Sequence, residues 1–164
     1  MMTQSRLKEL LHYDPETGVF VWKVAHPRVR AGGRAGSISS RGYVRIRISG
    51  KDYWAHRLAW LYIHGDFPKN EVDHKDGDKT NNRIDNLRDC TRAQNHQNRV
   101  SMPGSSSKYP GVSWYKNSKK WRAKIVLHGK DKYLGLYESE VDAYKAYCKA
   151  KYELHKFQPQ PRFC

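Results

Sequence analysis

The stretch from Glu71 to Asn95 constrains the fold most. It reads Glu-Val-Asp-His-Lys-Asp-Gly-Asp over 71–78, then Asp-Asn-Leu-Arg over 85–88, then Thr-Arg-Ala-Gln-Asn over 91–95. Thr91 followed three residues later by Gln94 is a capping box, so a short helix is predicted from about Arg92 to Arg99, with Asn95 one turn in. Upstream, a carboxylate (Asp73) and an imidazole (His74) stand side by side. In an extended chain they point to opposite faces, so joint chemistry requires a local bend, which Gly77 and the Asp76–Asp78 turn allow.

These groups suit phosphodiester cleavage. That reaction needs a base to deprotonate water, and charge relief at phosphorus and at the departing 3′ oxygen; histidine supplies the first and a hard metal the second. Asp73 and the amide oxygen of Asn95 are candidate metal ligands and His74 a candidate base. A calcium loop started at Asp73 or Asp76 lacks Gly at the sixth place and Glu at the twelfth. Zinc is disfavoured, because His74 has no partner at ligand spacing except His96, and Cys90, Cys148 and Cys164 form no Cys-x-x-Cys pair.

A formal charge of +15 on 164 residues points to a polyanionic partner, nucleic acid first and anionic membrane second. No apolar run approaches a membrane span, and residues 1–11 lack a signal pattern, so a cytoplasmic protein is expected. The basic excess is concentrated: from Lys23 to Arg57 there are nine Lys and Arg and one acid, Asp52.

Along the chain, residues 5–12 predict one or two helical turns capped by Ser5, and 13–18 a turn before a strand at 19–22. Residues 26–41 read as a Gly- and Arg-rich loop with too few apolar residues to pack. Residues 42–48 alternate, with Val44, Ile46 and Ile48 inward and Tyr43, Arg45 and Arg47 outward, a half-buried strand presenting cations. Ser49–Asp52 is its hairpin turn, and 55–63 a helix. Residues 101–108 read as a linker. Beyond it, 112–115, 120–127 and 132–137 predict three antiparallel strands. A helix follows, capped by Ser139 and reaching about His155, with Val141, Tyr144, Cys148, Ala150 and Lys151 near one stripe. Gly-Lys-Asp recurs at 50–52 and 129–131, turn chemistry at both hairpins. On the central strand Trp121, Ala123, Ile125 and Leu127 form one face and Arg122, Lys124 and Val126 the other.

Val72-Asp73-His74, Asn81-Asn82-Arg83, Asn86-Leu87-Arg88, Thr91 and Asn95, preceded by Ala55-His56-Arg57-Leu58-Ala59, resemble the HNH homing endonucleases of phages and introns. The resemblance implies a ββα-metal fold (core about 55–99). It makes His74 the general base, Asp73 and Asn95 the metal ligands, and Asn86 the residue that orients His74 and pins the loop. Asn95 in place of His, with Arg99 one turn on, favours Mg²⁺ or Mn²⁺ over Zn²⁺. Arg45, Arg47, His56 and Arg57 are expected to contact DNA.

Residues 107–114, 121–125, 133–135 and the alanine-containing helix resemble the AP2 DNA-binding domain, which implies that the sheet enters the major groove. Tyr115, Arg122, Lys124 and Lys132 are its expected contacts.

The expectation is an α+β chain of two modules. An HNH nuclease domain spans 1–100 and an AP2-like domain 109–157, with a linker at 101–108 and a tail at 158–164. Together they cut double-stranded DNA as a monomer, without a small-molecule cofactor or membrane. In a host cell the place of action is the cytoplasm. The alternative is a non-cleaving DNA-binding regulator on the same scaffold.

Overall fold

The computed structural model describes residues 2–25, 29–98, 100–101 and 104–158. It is mixed α/β with small antiparallel sheets and divides into two compact units, Met1–Cys90 and Thr91–Cys164. That division falls ahead of the boundary near residue 100 read from the sequence, so the short helix at 92–96 groups with the second unit.

The first unit opens with α1 (Gln4–Leu10), capped by Thr3 rather than Ser5: the Thr3 hydroxyl accepts from Arg6 N–H. The chain then turns extended sooner than predicted. β1 (Leu11–Asp14) pairs with β2 (Val19–Trp22), Leu11 opposite Trp22 and Asp14 opposite Val19. Leu11, Tyr13, Phe20 and Trp22 alternate into the core, a period-two burial that overrides the helical reading of residues 11 and 12. The supposed loop after β2 is also partly ordered. Ala35 is buried, and β3 (Ser37–Ile38) pairs with β4 (Val44–Ile48), while His26, Pro27 and Arg28 lie outside the described residues.

β4 has the predicted faces. Ile46 and Ile48 are buried, Val44 is half-buried, and Arg45 and Arg47 are exposed. Its hairpin to β5 (Lys51–Trp54) turns on Ser49 and Gly50, both at positive φ, the conformation that matches strand twist in two-residue hairpins. α2 (Ala55–His64) buries Leu58, Ala59 and Leu61 against this core and ends at Gly65 in the left-handed region. β6 (Glu71–His74) pairs with β7 (Leu87–Cys90), joined by a long loop that ends in one 3-10 turn at Ile84–Asn86.

In the second unit α3 (Arg92–His96) carries the capping box as expected: Gln94 N–H donates to the Thr91 hydroxyl, and Thr91 N–H to the Gln94 side chain. The serine-rich stretch is tied down here. Ser107 is buried, its hydroxyl donates to Glu140, and Tyr109 N–H donates back to it. β8 (Val112–Tyr115), β9 (Lys120–Leu127) and β10 (Lys130–Tyr137) form one sheet with β9 central, and α4 (Glu140–Leu154) covers one face. The buried stripe of α4 is Ala143, Tyr144, Tyr147, Ala150 and Lys151, whereas Val141 is 47% exposed. Tyr147 packs so close to Gly111 that a Cβ there would stand 2.2 Å from its ring.

Candidate active site

β6 carries Asp73 and His74 into the interior of the first unit, 6% and 4% exposed. The expected bend follows at once: Gly77 N–H donates to the His74 carbonyl at 2.9 Å, with Gly77 at φ 79°. The loop beyond is built from its own polar side chains. Asp76 accepts from Asp78 N–H, from Asn86 Nδ2 at 2.9 Å and from Asn81 Nδ2 at 2.7 Å. Asp76 N–H in turn donates to Asn86 Oδ1 at 3.1 Å. Burial alone would raise the Asp76 carboxyl, but these donors outweigh it and hold it below its ordinary value.

Asn86 therefore ties Asp76 to the Asn81 carbonyl across the loop. The side chain that meets the His74 ring is Asn82, whose Oδ1 lies 3.2 Å from His74 Nε2. Asn82 is 1% exposed and was not singled out from the sequence for this role. Its only sequence signal was the Asn-Asn pair at 81–82, and a partner across a loop leaves no periodic trace.

Two further rings pack on His74. His56 lies edge-on at 5.2 Å between centroids and Tyr43 at 6.0 Å. Burial lowers the His74 pKa; the Asn82 contact and the carboxylates of Asp76, Asp73 and Asp78 push the other way without overcoming it. A neutral imidazole at physiological pH can accept a proton, as a general base must.

His56, expected to contact DNA, is instead 7% exposed, and its Nδ1 has no hydrogen-bond partner among the described residues. Desolvation, then the charges of His74 and Arg57, bring its pKa down to about 3. The folded state thus binds fewer protons than the unfolded chain between that value and the ordinary 6.5. Stability is fully present above about pH 6.5 and falls by about 1.4 kcal/mol per pH unit as pH drops through this window. Urea titrations at a series of pH values should show that slope, and His56→Gln should flatten it. Arg57 is also structurally engaged: it donates to the carbonyls of Pro68 and Asn70 and sits over the Phe67 ring.

Asp73 meets Arg88 from the opposite strand, in register across β6 and β7. Arg88 Nε and Nη2 donate to Asp73 Oδ2 at 3.0 and 2.7 Å. Asp73 thus offers a carboxylate already held in place, while Asn95 belongs to the second unit, where it is half-buried and His96 exposed. A carboxylate is a hard-oxygen donor of the kind that Mg²⁺ and Mn²⁺ take.

Residues 53–97 match the model of the HNH endonuclease family. This segment is an HNH endonuclease domain. The match starts in β5, contains His56, Asp73, His74, Asn82, Asn86 and Asn95, and ends ahead of the sheet β8–β10. Protein 3.8 of Escherichia phage T7 is 33% identical over 76 residues, 46% of this chain and 63% of that protein. A solved structure described as DNA binding and cleavage by the HNH homing endonuclease I-HmuI is 30% identical, with a TM-score of 0.42, covering 54% of this chain and 51% of that one. The chain thus spans less than two thirds of the length of either relative. No helix among the described residues is long and apolar enough to cross a membrane.

The other expected contacts fall on two faces. Arg45 and Arg47 are exposed on β4 beside the HNH domain, both paired with Asp52. On the sheet of the second unit, Tyr115, Arg122 and Lys124 share the face away from α4. Arg122 lies over the Tyr115 ring and Lys124 pairs with Asp131. Lys132 does not join them. It stands opposite Ile125, and opposed residues share a face, so it is on the helix side. Tyr133, opposite Lys124 and 60% exposed, takes that place.

Proposed function

We propose that the protein is a metal-dependent DNA endonuclease of the homing type. The observation that carries the reading is the buried pair Asp73–His74 in an HNH domain, with the base packed among rings and its carboxylate neighbour held by Arg88. In this reading the strands β6 and β7 carry the site, and Asp73 would hold Mg²⁺ or Mn²⁺. The ion would relieve charge on the phosphate and the departing 3′ oxygen. His74 accepts the proton of the attacking water. Asn86 keeps the turn after His74 closed through Asp76.

The basic face of β4 and an AP2-like sheet on β8–β10 hold double-stranded DNA, through Arg45, Arg47, Tyr115, Arg122 and Lys124. Two weak contacts on one chain raise the effective concentration of the second. A monomer with one site nicks. The phage relative supports action in a host cytoplasm.

Hydrolysis at the 3′ oxygen leaves a 3′ hydroxyl and a 5′ phosphate. Nicks should therefore be resealed by DNA ligase without prior phosphorylation. A protein that only binds gives retarded, uncut duplex, and that result defeats the proposal.

The face assignment predicts unequal effects on duplex binding. Arg122→Ala and Tyr133→Ala should each weaken affinity about 3- to 10-fold at fixed salt, read by fluorescence anisotropy, and Lys132→Ala less than about twofold. Equal losses at all three positions would contradict it.

A further inference from the structure

The N-terminal hairpin lies outside the family-matched segment, yet it grips the loop that meets His74. Three contacts converge there. Tyr13, 2% exposed, donates its hydroxyl hydrogen to the Asn82 carbonyl at 2.7 Å. Ile84 N–H donates to the Pro15 carbonyl at 3.2 Å. Gly18, at φ +71°, lies so close beneath the loop that a Cβ would stand 2.5 Å from Arg83 N and from the Asn82 carbonyl carbon.

The loop so held presents one fixed side chain. Asn82 Nδ2 donates to the Thr80 carbonyl at 3.1 Å, which leaves Oδ1 as the atom 3.2 Å from His74 Nε2. An amide oxygen only accepts, so the ring donates at Nε2. A neutral imidazole protonated at Nε2 carries its lone pair on Nδ1.

We infer that Asn82 is the positioning residue for the base, holding His74 as the Nε2–H tautomer with Nδ1 as the proton-accepting atom, and that the β1–β2 hairpin is the brace that holds Asn82. The role of Nδ1 in cleavage rests on the endonuclease reading; the tautomer and the brace rest on geometry alone. In the step itself, a water oxygen bonds to phosphorus as its proton passes to Nδ1. The bond from phosphorus to O3′ breaks with its electron pair on O3′, which takes a proton from solvent. The brace makes residues outside the matched segment part of the nuclease.

The test uses the full-length, metal-free protein labelled with ¹⁵N-histidine, in which long-range ¹H–¹⁵N spectra report the tautomer of each ring. The His74 signal is assigned by its loss in His74→Ala. The wild type should show the Nε2–H pattern. Asn82→Leu should lose that preference and lower kcat about 10- to 100-fold, with KM within about threefold. Tyr13→Phe keeps the packed ring and removes only the hydroxyl, and should lower kcat about 3- to 10-fold.

A wild-type His74 protonated at Nδ1 overturns the inference, as does an Asn82→Leu protein with unchanged tautomer and kcat. A Tyr13→Phe protein identical to wild type in both readouts overturns the brace. If Asn82→Leu does not fold, the wild-type spectrum and Tyr13→Phe decide. If the wild type cuts no DNA, the endonuclease reading fails while the spectra still judge the Asn82 assignment.

Discussion

His74→Ala should lower the rate of DNA cleavage about 10²- to 10⁴-fold, the range over which a positioned general base acts, while duplex affinity stays within about twofold. The reason lies in what surrounds the ring. His74 ends β6, is 4% exposed and packs on His56 and Tyr43, so it makes no part of an open, DNA-holding surface. Its loss should fall on kcat and not on KM, the pattern of an interaction made in the transition state. Truncating a buried ring also costs packing, so His74→Gln, which keeps most of the volume, is the companion variant. Both should lose cleavage rate to a similar extent, and His74→Gln should melt closer to the wild type. Circular dichroism melts and single-turnover cleavage on one duplex check the pair. Equal loss of affinity and rate would move His74 from the chemistry to the DNA contact.

Arg88→Ala should cost about 3–5 kcal/mol of folding stability, because it strands a buried carboxylate. Asp73 is 6% exposed, and Oδ2 receives both Nε and Nη2 of Arg88. Burial removes the solvent that makes exposed pairs nearly worthless, such as Arg6–Glu9 on the surface of α1. The decisive comparison is the double variant with Asp73→Asn, which removes the stranded charge together with its partner. Its loss should be smaller than the sum of the two single losses, with a coupling of about 1–3 kcal/mol. Urea unfolding at pH 7 measures all four proteins. Additive losses would mean that the two groups do not depend on each other, and that Asp73 is held by something else.

The sequence made plain whatever follows local periodicity or local caps. The alternation over 42–48 put Ile46 and Ile48 inside and Arg45 and Arg47 outside, as found. The Thr91–Gln94 box is local hydrogen bonding, and it was legible. The faces of β9 followed from a strict two-residue period, with Ala123 and Ile125 buried and Val126 exposed.

What escaped depends on register and on partners far apart in sequence. Residues 11 and 12 were read as the end of a helix and 13–14 as a turn; the pairing of β1 with β2 decides otherwise. The turn at 128–129 is two residues long rather than four, which sets Lys130 opposite Leu127 and so places Tyr133, not Lys132, beside Lys124. The Asp73–Arg88 pair appears only when β6 and β7 are aligned. His56 was expected to contact DNA, but the neighbouring rings of Tyr43 and His74 enclose it. The residue types of the site were thus visible, while Asn82, Arg88 and the burial of His56 came from the fold.

The central claim, a metal-dependent cut in DNA, meets its most direct test in supercoiled plasmid. Purified full-length protein is incubated with it in Mg²⁺, in Mn²⁺, and in chelator, and the topological forms are separated on a gel. The account predicts conversion to the nicked circle with either ion and none in chelator. Plasmid that stays supercoiled with both ions, under conditions where the protein demonstrably binds it, would contradict the account.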